Sequence, residues 1–191
     1  FRDNLGANMA AAFPGYTGTR FYGYGSQGVD GTGALIGGKH LGNGIVATKG
    51  VPVRIRLSNQ LLTTHIIPFD ASIPQTAVGT TVQQSHTAIH LHGGLVPWTS
   101  DGGPFHWIKR LSNTTVDAIG GNGASLINWL PDNTGALTND YFYPNLQSGR
   151  LMWYHDHAVG ITRISAYAGV AAPYIVTDAG QPGSLDDKAN A

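Results

Sequence analysis

The sequence predicts an all-β sandwich that carries one short helix. Three observations support this expectation. Its 191 residues include 27 glycines and 10 prolines spread along the chain, as expected of many strands joined by turns. Several short runs read as strands, the cleanest alternating apolar and charged residues. A single stretch shows helical spacing, too little for a layer of helices.

Taken in order, residues 1–38 are rich in Gly, Ala and aromatics without periodicity. They read as a wrapping segment over 1–18, followed by a strand around 19–24. The run GIVATKGVPVRIRLSNQL reads as a hairpin: Val53, Ile55 and Leu57 alternate with Arg54 and Arg56, and Lys49-Gly50 supplies the turn. SHTAIHLHGG reads as a strand ending at a Gly pair. Residues 99–139 are rich in Gly, Asn and Asp and read mostly as loop, with ASLINWL as a short strand. GRLMWYHDH is a further strand. AVGITRISAYAG has helical spacing and a closing glycine at Gly169, so the helix follows directly after that strand. VAAPYIVTD is the last strand. The main domain is therefore expected over 19–178, with 179–191 as a polar linker or tail.

Composition limits the function. Charged residues make up 12% of the chain, against roughly 25% in an average domain. The formal net charge is 0, with 11 basic and 11 acidic residues. Nucleic acid and anionic membranes, which select basic surfaces, are not the expected partners. No apolar run approaches the ~20 residues that span a bilayer. The chain starts at Phe1 with no leader pattern, which reads as a processed or truncated end. With no cysteine, disulfides, thiolate metal sites and catalytic thiols are ruled out within these residues. There is no glutamate either, so any carboxylate chemistry falls to aspartate.

Against that background, HLHGG and WYHDH each hold two histidines one residue apart. With eight histidines in the chain, chance predicts fewer than one such pair. In a strand, residues i and i+2 face one side, so His90 with His92, and His155 with His157, each project two imidazoles together. If the two strands are neighbours, four imidazoles converge. Neutral imidazole is the usual ligand of zinc, copper, iron and nickel. No carboxylate cluster accompanies the histidines, which disfavours Mg or Ca. A 2-His-1-carboxylate iron site would want an acid after the first pair, and none is there. Zinc on three histidines, activating a water for hydrolysis, stays open. An all-imidazole set suits copper best.

HTAIHLHGGLVPWTSDGGP followed by LMWYHDHAVGITRISAYAGVAAPYIVTD resembles the first cupredoxin domain of multicopper oxidases. The similarity is to the branch of spore-coat laccases, bilirubin oxidases and phenoxazinone synthases. That branch shares the order of a GxPVRVRxxN segment, HLHGG, SDGxP and WYHDHAxxxTRxxxYAG. The resemblance covers roughly residues 19–178 and implies a cupredoxin-like Greek-key β-sandwich. It further implies that His90 binds a type 2 copper, that His92 and His155 share one type 3 copper, and that His157 binds the other. Asp101 falls where the family has an acid on the water and proton path to this trinuclear cluster. Asp156, on the opposite face of its strand, is expected to support a neighbouring loop or a histidine. Trp153 and Trp107 are expected to be core or loop packing. His40, His65, His86 and His106 are expected at the surface or in loops, with His86 sharing the strand parity of His90.

A multicopper oxidase also needs a type 1 copper with a Cys ligand, and four more histidines. This chain has neither set. The resemblance therefore implies the N-terminal part of a laccase-like oxidase, supplying four of eight His ligands. The remaining cupredoxin domains would be its partners, O2 the oxidant, and phenols or aminophenols the reductant. The family pattern has one further strand before residues 19–24, and the segment 111–140 is longer here. Extracellular or periplasmic placement is expected. Asn113-Thr114-Thr115 is a glycosylation sequon that matters only in a eukaryote. A non-catalytic copper-binding cupredoxin and a mononuclear zinc hydrolase are the alternatives.

Overall fold

A computed structural model describes residues 2–3, 19–27, 35–36, 41–70, 72, 84–110, 119–122 and 138–178. Two short antiparallel pairs come first: β1 (Arg2–Asp3) with β2 (Thr19–Arg20), and β3 (Ser26–Gln27) with β4 (Leu35–Ile36). Then follow β5 (Ile45–Thr48), β6 (Val53–Ser58), β7 (His86–Thr87), β8 (Ile89–His92), β9 (Ile108–Arg110), β10 (Ile119–Asn122), β11 (Thr138–Tyr143) and β12 (Arg150–Asp156). Helix α1 (Thr162–Ala168) and β13 (Ala171–Thr177) complete the described elements. Among the described residues the architecture is all-β with one short α-helix after the second histidine strand, as the sequence predicts.

The central layer is a four-stranded sheet in the order β5-β13-β12-β8. Its β13–β12 and β12–β8 pairs are antiparallel, and β13–β5 is parallel. Facing it are the β11–β6 ladder and a three-stranded sheet ordered β10-β9-β7. Between them lies the core. Ala47, Ile89, Leu91, Met152, Tyr154, Ala172, Tyr174 and Val176 come from the four-stranded sheet, and Leu57, Ile108, Tyr141 and Tyr143 from the other side. Buried tyrosine hydroxyls favour partners, and three of these find one. Tyr174 donates to Asn145 Oδ1 at 2.8 Å, Tyr154 donates to the Asn43 carbonyl at 2.5 Å, and Tyr141 accepts from the Ile89 N–H at 3.0 Å.

The expected hairpin is corrected in one respect. The Lys49-Gly50 turn exists, closed by the Val51 N–H on the Thr48 carbonyl at 3.0 Å, with Gly50 at φ +74°. Yet β5 joins β13 and β6 joins β11, so the turn carries the chain between layers. The alternation along β6 does hold, with Leu57 buried and Arg54 and Arg56 exposed. Residues 99–139, expected to be mostly loop, contain β9, β10 and the start of β11. In β11, Asp140 is buried, and Arg56, opposite it in register, donates Nε at 2.9 Å to its carboxylate. Asp is disfavoured in strands, and this tertiary pairing overrides that propensity. ASLINWL and the 179–191 tail lie outside the described residues.

Helix α1 is shorter than its sequence pattern and seats Ile161 and Ile164 against Trp107, Ala88 and Ala158. Gly169, at φ +112°, ends it in the left-handed conformation that glycine adopts without a Cβ penalty. The chain then returns directly into β13. Among the described residues no helix is long and apolar enough to cross a membrane.

Candidate metal centre

β8 and β12 are adjacent and antiparallel, with His155 opposite His90 and Trp153 opposite His92. Strand alternation places these four side chains on one face, away from the core residues Ile89, Leu91 and Tyr154. His157 follows the end of β12, where its N–H donates to the Ala88 carbonyl at 3.1 Å. Its ring centroid lies 4.8 Å from that of His90 and 5.7 Å from that of His155. The strand pairing thus brings all four imidazoles together.

The nitrogen geometry suits a metal. His90, His92 and His155 each offer a ligand atom within 4.8 Å of the others. His92 Nδ1 and His155 Nε2 are 3.2 Å apart. Two nitrogens bound at about 2.0–2.1 Å to one ion, at angles of about 95–110°, stand ~3.0–3.4 Å from each other. His157 stays outside that three-residue group, with its Nδ1 buried and without a hydrogen-bond partner among the described residues.

Backbone carbonyls set two of the tautomers. His90 Nδ1–H donates to the Asp101 carbonyl at 2.6 Å, and His155 Nδ1–H to the Asp156 carbonyl at 2.7 Å. Each arrangement leaves Nε2 as a bare lone pair. Burial pushes the His155 pKa below the ordinary histidine value; the Asp156 carbonyl offsets this in part, and His90, His157 and His92 add to the lowering. The ring is therefore held in the neutral form that ligates metals.

Asp101 sits just past a 3-10 turn, Trp98–Ser100. The next residue, Gly102, has φ +66°, and a Cβ there would collide with the Ile89 carbonyl. Only glycine lets this loop press against β8. The Asp101 carboxylate is half exposed, 3.5 Å from His90 Nδ1. It borders an open depression lined by Trp98, Gly103, Pro104, Phe105 and His106. Asp156 faces the opposite way, as its strand position implies. Fully buried, its Oδ1 accepts from Thr87 Oγ1 at 3.0 Å, the Ala88 N–H at 2.9 Å and the Ala158 N–H at 3.2 Å.

Several expectations about other residues change. His65, His86 and His106 are buried rather than at the surface; His65 and His106 do lie in loops, as expected, whereas His86 is in β7. His86 Nε2 donates to the Val159 carbonyl at 2.8 Å and its ring meets Trp107 edge-on, bracing the loop after the second pair. His40 lies outside the described residues. Trp107 is core packing, as expected. Trp153 is not. It is 41% exposed and stacks on His155 and His92. The signal was available, since Trp153 precedes His155 by two residues and so shares its face.

No family profile matches the chain. Individual relatives do. A rice protein (Oryza sativa subsp. japonica), Multicopper oxidase LPR1 homolog 5, is 37% identical over 132 residues, 69% of this chain and 18% of its own length. The laccase of Bacillus subtilis is 32% identical over 126 residues, 66% of this chain and 21% of its own. Bilirubin oxidase of Albifimbria verrucaria is 59% identical over 39 residues, 20% of this chain. The chain belongs to the multicopper oxidases. It spans about a fifth of the length of the first two relatives. Membership in the multicopper oxidases implies copper as the metal, and the all-imidazole donor set agrees with that.

Proposed function

We propose that this chain is the N-terminal part of a laccase-like multicopper oxidase, with residues 19–178 as its first cupredoxin-like domain and activity only alongside the remaining, Cys-containing domains. In this reading His90 holds the type 2 copper of a trinuclear cluster, His92 and His155 share one type 3 copper, and His157 holds the other. These are four of eight His ligands. The observation that carries the reading is the 3.2 Å approach of His92 Nδ1 to His155 Nε2 from two paired His-x-His strands. Bound copper would supply the electrons that reduce O2 to water, drawn from phenols or aminophenols at a type 1 site in another domain. The protein itself orients the imidazoles through the Asp101 and Asp156 carbonyls.

The outer face of the four-stranded sheet supports a partner domain. Val46, Leu151 and Trp153 are exposed there at 68%, 64% and 41%, and Ile175 lies in register between Val46 and Leu151. This apolar strip runs into the histidines, where further ligands would have to arrive. An oxidase working on phenols fits an extracellular or periplasmic setting. Metal analysis of the full-length protein tests the assignment. About three coppers beyond the type 1 ion, with O2 uptake on a phenolic donor, support it. A single copper without turnover favours a binding protein, and a single zinc favours a hydrolase.

Asp101 is the proton-handling group of this proposal. Reduction of O2 to water consumes four protons, and the Asp101 carboxylate stands between the open depression and His90. Asp101→Asn keeps the shape and the carbonyl ligand to His90 but loses the ionisable group. Copper content is expected to stay unchanged while reoxidation by O2 slows by about 10²-fold, the low end for a positioned acid-base group because water substitutes in part. Stopped-flow reoxidation of the reduced protein across pH measures this. A wild-type rate throughout would reduce Asp101 to a turn residue.

A further inference from the structure

The four candidate ligands are not held alike. His90 and His155 are each fixed by a backbone carbonyl at Nδ1. His92 turns Nδ1 toward the site, and among the described residues its only hydrogen-bond contact is His155 itself. It is also exposed and sits at the end of β8, an edge strand of the four-stranded sheet. An imidazole so placed has rotamer freedom that metal binding must remove. What restrains it is Trp153. The indole lies opposite His92 across the β8–β12 register, with centroids 5.1 Å apart and planes at 23°. It also lies two residues before His155 on the same face, with centroids 4.2 Å apart and planes at 24°. The Trp153 ring thus contacts both imidazoles whose nitrogens converge at 3.2 Å.

We propose that Trp153 is a positioning residue of the metal centre: one indole serves as a stacking plate shared by His92 and His155, and it raises the copper affinity of the nitrogen pair they present. The inference rests on the copper-site reading above. Two physical effects drive it. Stacking holds each ring near-parallel to the indole, so the entropy of orienting His92 is lost on folding rather than on metal binding. Coordination also draws electron density out of an imidazole, and the electron-rich face of indole attracts such a ring more strongly than a free one. Trp153 does for His92 what the carbonyls do for His90 and His155.

The test uses the full-length protein, stripped of metal and reloaded with copper. Copper retention is measured by atomic absorption across a series of competing chelator concentrations. Trp153→Leu, which keeps an apolar side chain but no π face, is expected to lose copper from this centre at about 10- to 100-fold lower chelator concentration, the usual effect of removing a group that orients a ligand. Trp153→Phe retains a face and is expected to fall between. Melting of the metal-free proteins should not differ. A second measurement needs no stable Leu variant: titrating the metal-free protein with copper(II) alone should quench a component of tryptophan emission that Trp153→Phe lacks. Equal copper retention in Trp153→Leu and wild type, or quenching identical in wild type and Trp153→Phe, would overturn the inference and leave the copper site standing. Copper binding that survives His92→Ala unchanged would instead overturn the site reading.

Discussion

Replacing His155 with alanine in the full-length protein is expected to abolish O2 reduction. His155 is the most buried of the four imidazoles, and its Nε2 faces His92 Nδ1 at 3.2 Å, so removing it leaves His92 without its partner donor. His92→Ala should have the same effect from the other side. Because the two would share one ion, either single loss empties that position, and the double variant should be no worse than the single ones. The strand itself should survive, since the core under β12 is built from Met152 and Tyr154 on its other face. Oxygen-electrode turnover and copper per protein, compared across the two singles and the double, measure this. Turnover in His155→Ala above one tenth of wild type, or additive losses in the double variant, would mean that the two histidines serve different ions.

The second large effect is expected at Asp156, and it acts on stability. This carboxylate is fully buried and its Oδ1 receives three donors: Thr87 Oγ1, Ala88 N–H and Ala158 N–H. Those donors flank both histidine pairs, with Ala88 two residues before His90 and Ala158 just after His157. Asp156→Ala leaves all three without an acceptor, at about 1–3 kcal/mol for each unsatisfied buried group. Burial, the largest influence, raises the Asp156 pKa, so the folded state disfavours its charge and part of that loss is offset. The net cost is then roughly 3–5 kcal/mol. Asp156→Asn keeps an acceptor oxygen and should lose markedly less. The same raised pKa has a pH consequence. For an acid whose folded pKa lies above its unfolded one, the stability contribution is fullest at low pH and declines as pH rises from the unfolded value through the folded one. Hydrogen exchange at the Ala88 and Ala158 amides, with urea unfolding, measures the loss. Unchanged exchange at both amides in Asp156→Ala would show that backbone pairing alone holds the two segments.

The sequence by itself determined the fold class and pointed to an imidazole-rich metal site. Period-2 alternation marks β6 because a half-buried strand must alternate. Two His-x-His pairs predict ligands because that same period aims both imidazoles one way. Gly169 marks the helix end because only glycine takes φ +112° without strain. Tertiary structure decided what local pattern cannot encode. That β5 and β6 part into different layers depends on long-range partners, β13 and β11, not on the turn between them. Asp140, of a residue type disfavoured in strands, is held in β11 by Arg56, 84 positions earlier in the chain. His65, His86 and His106, expected at the surface or in loops, are buried once the layers close over them. Trp153 reads as packing until the β8–β12 register lays it on His92. In each case the deciding contact joins residues distant in sequence, and a side chain's environment is settled by the neighbour that folding brings to it.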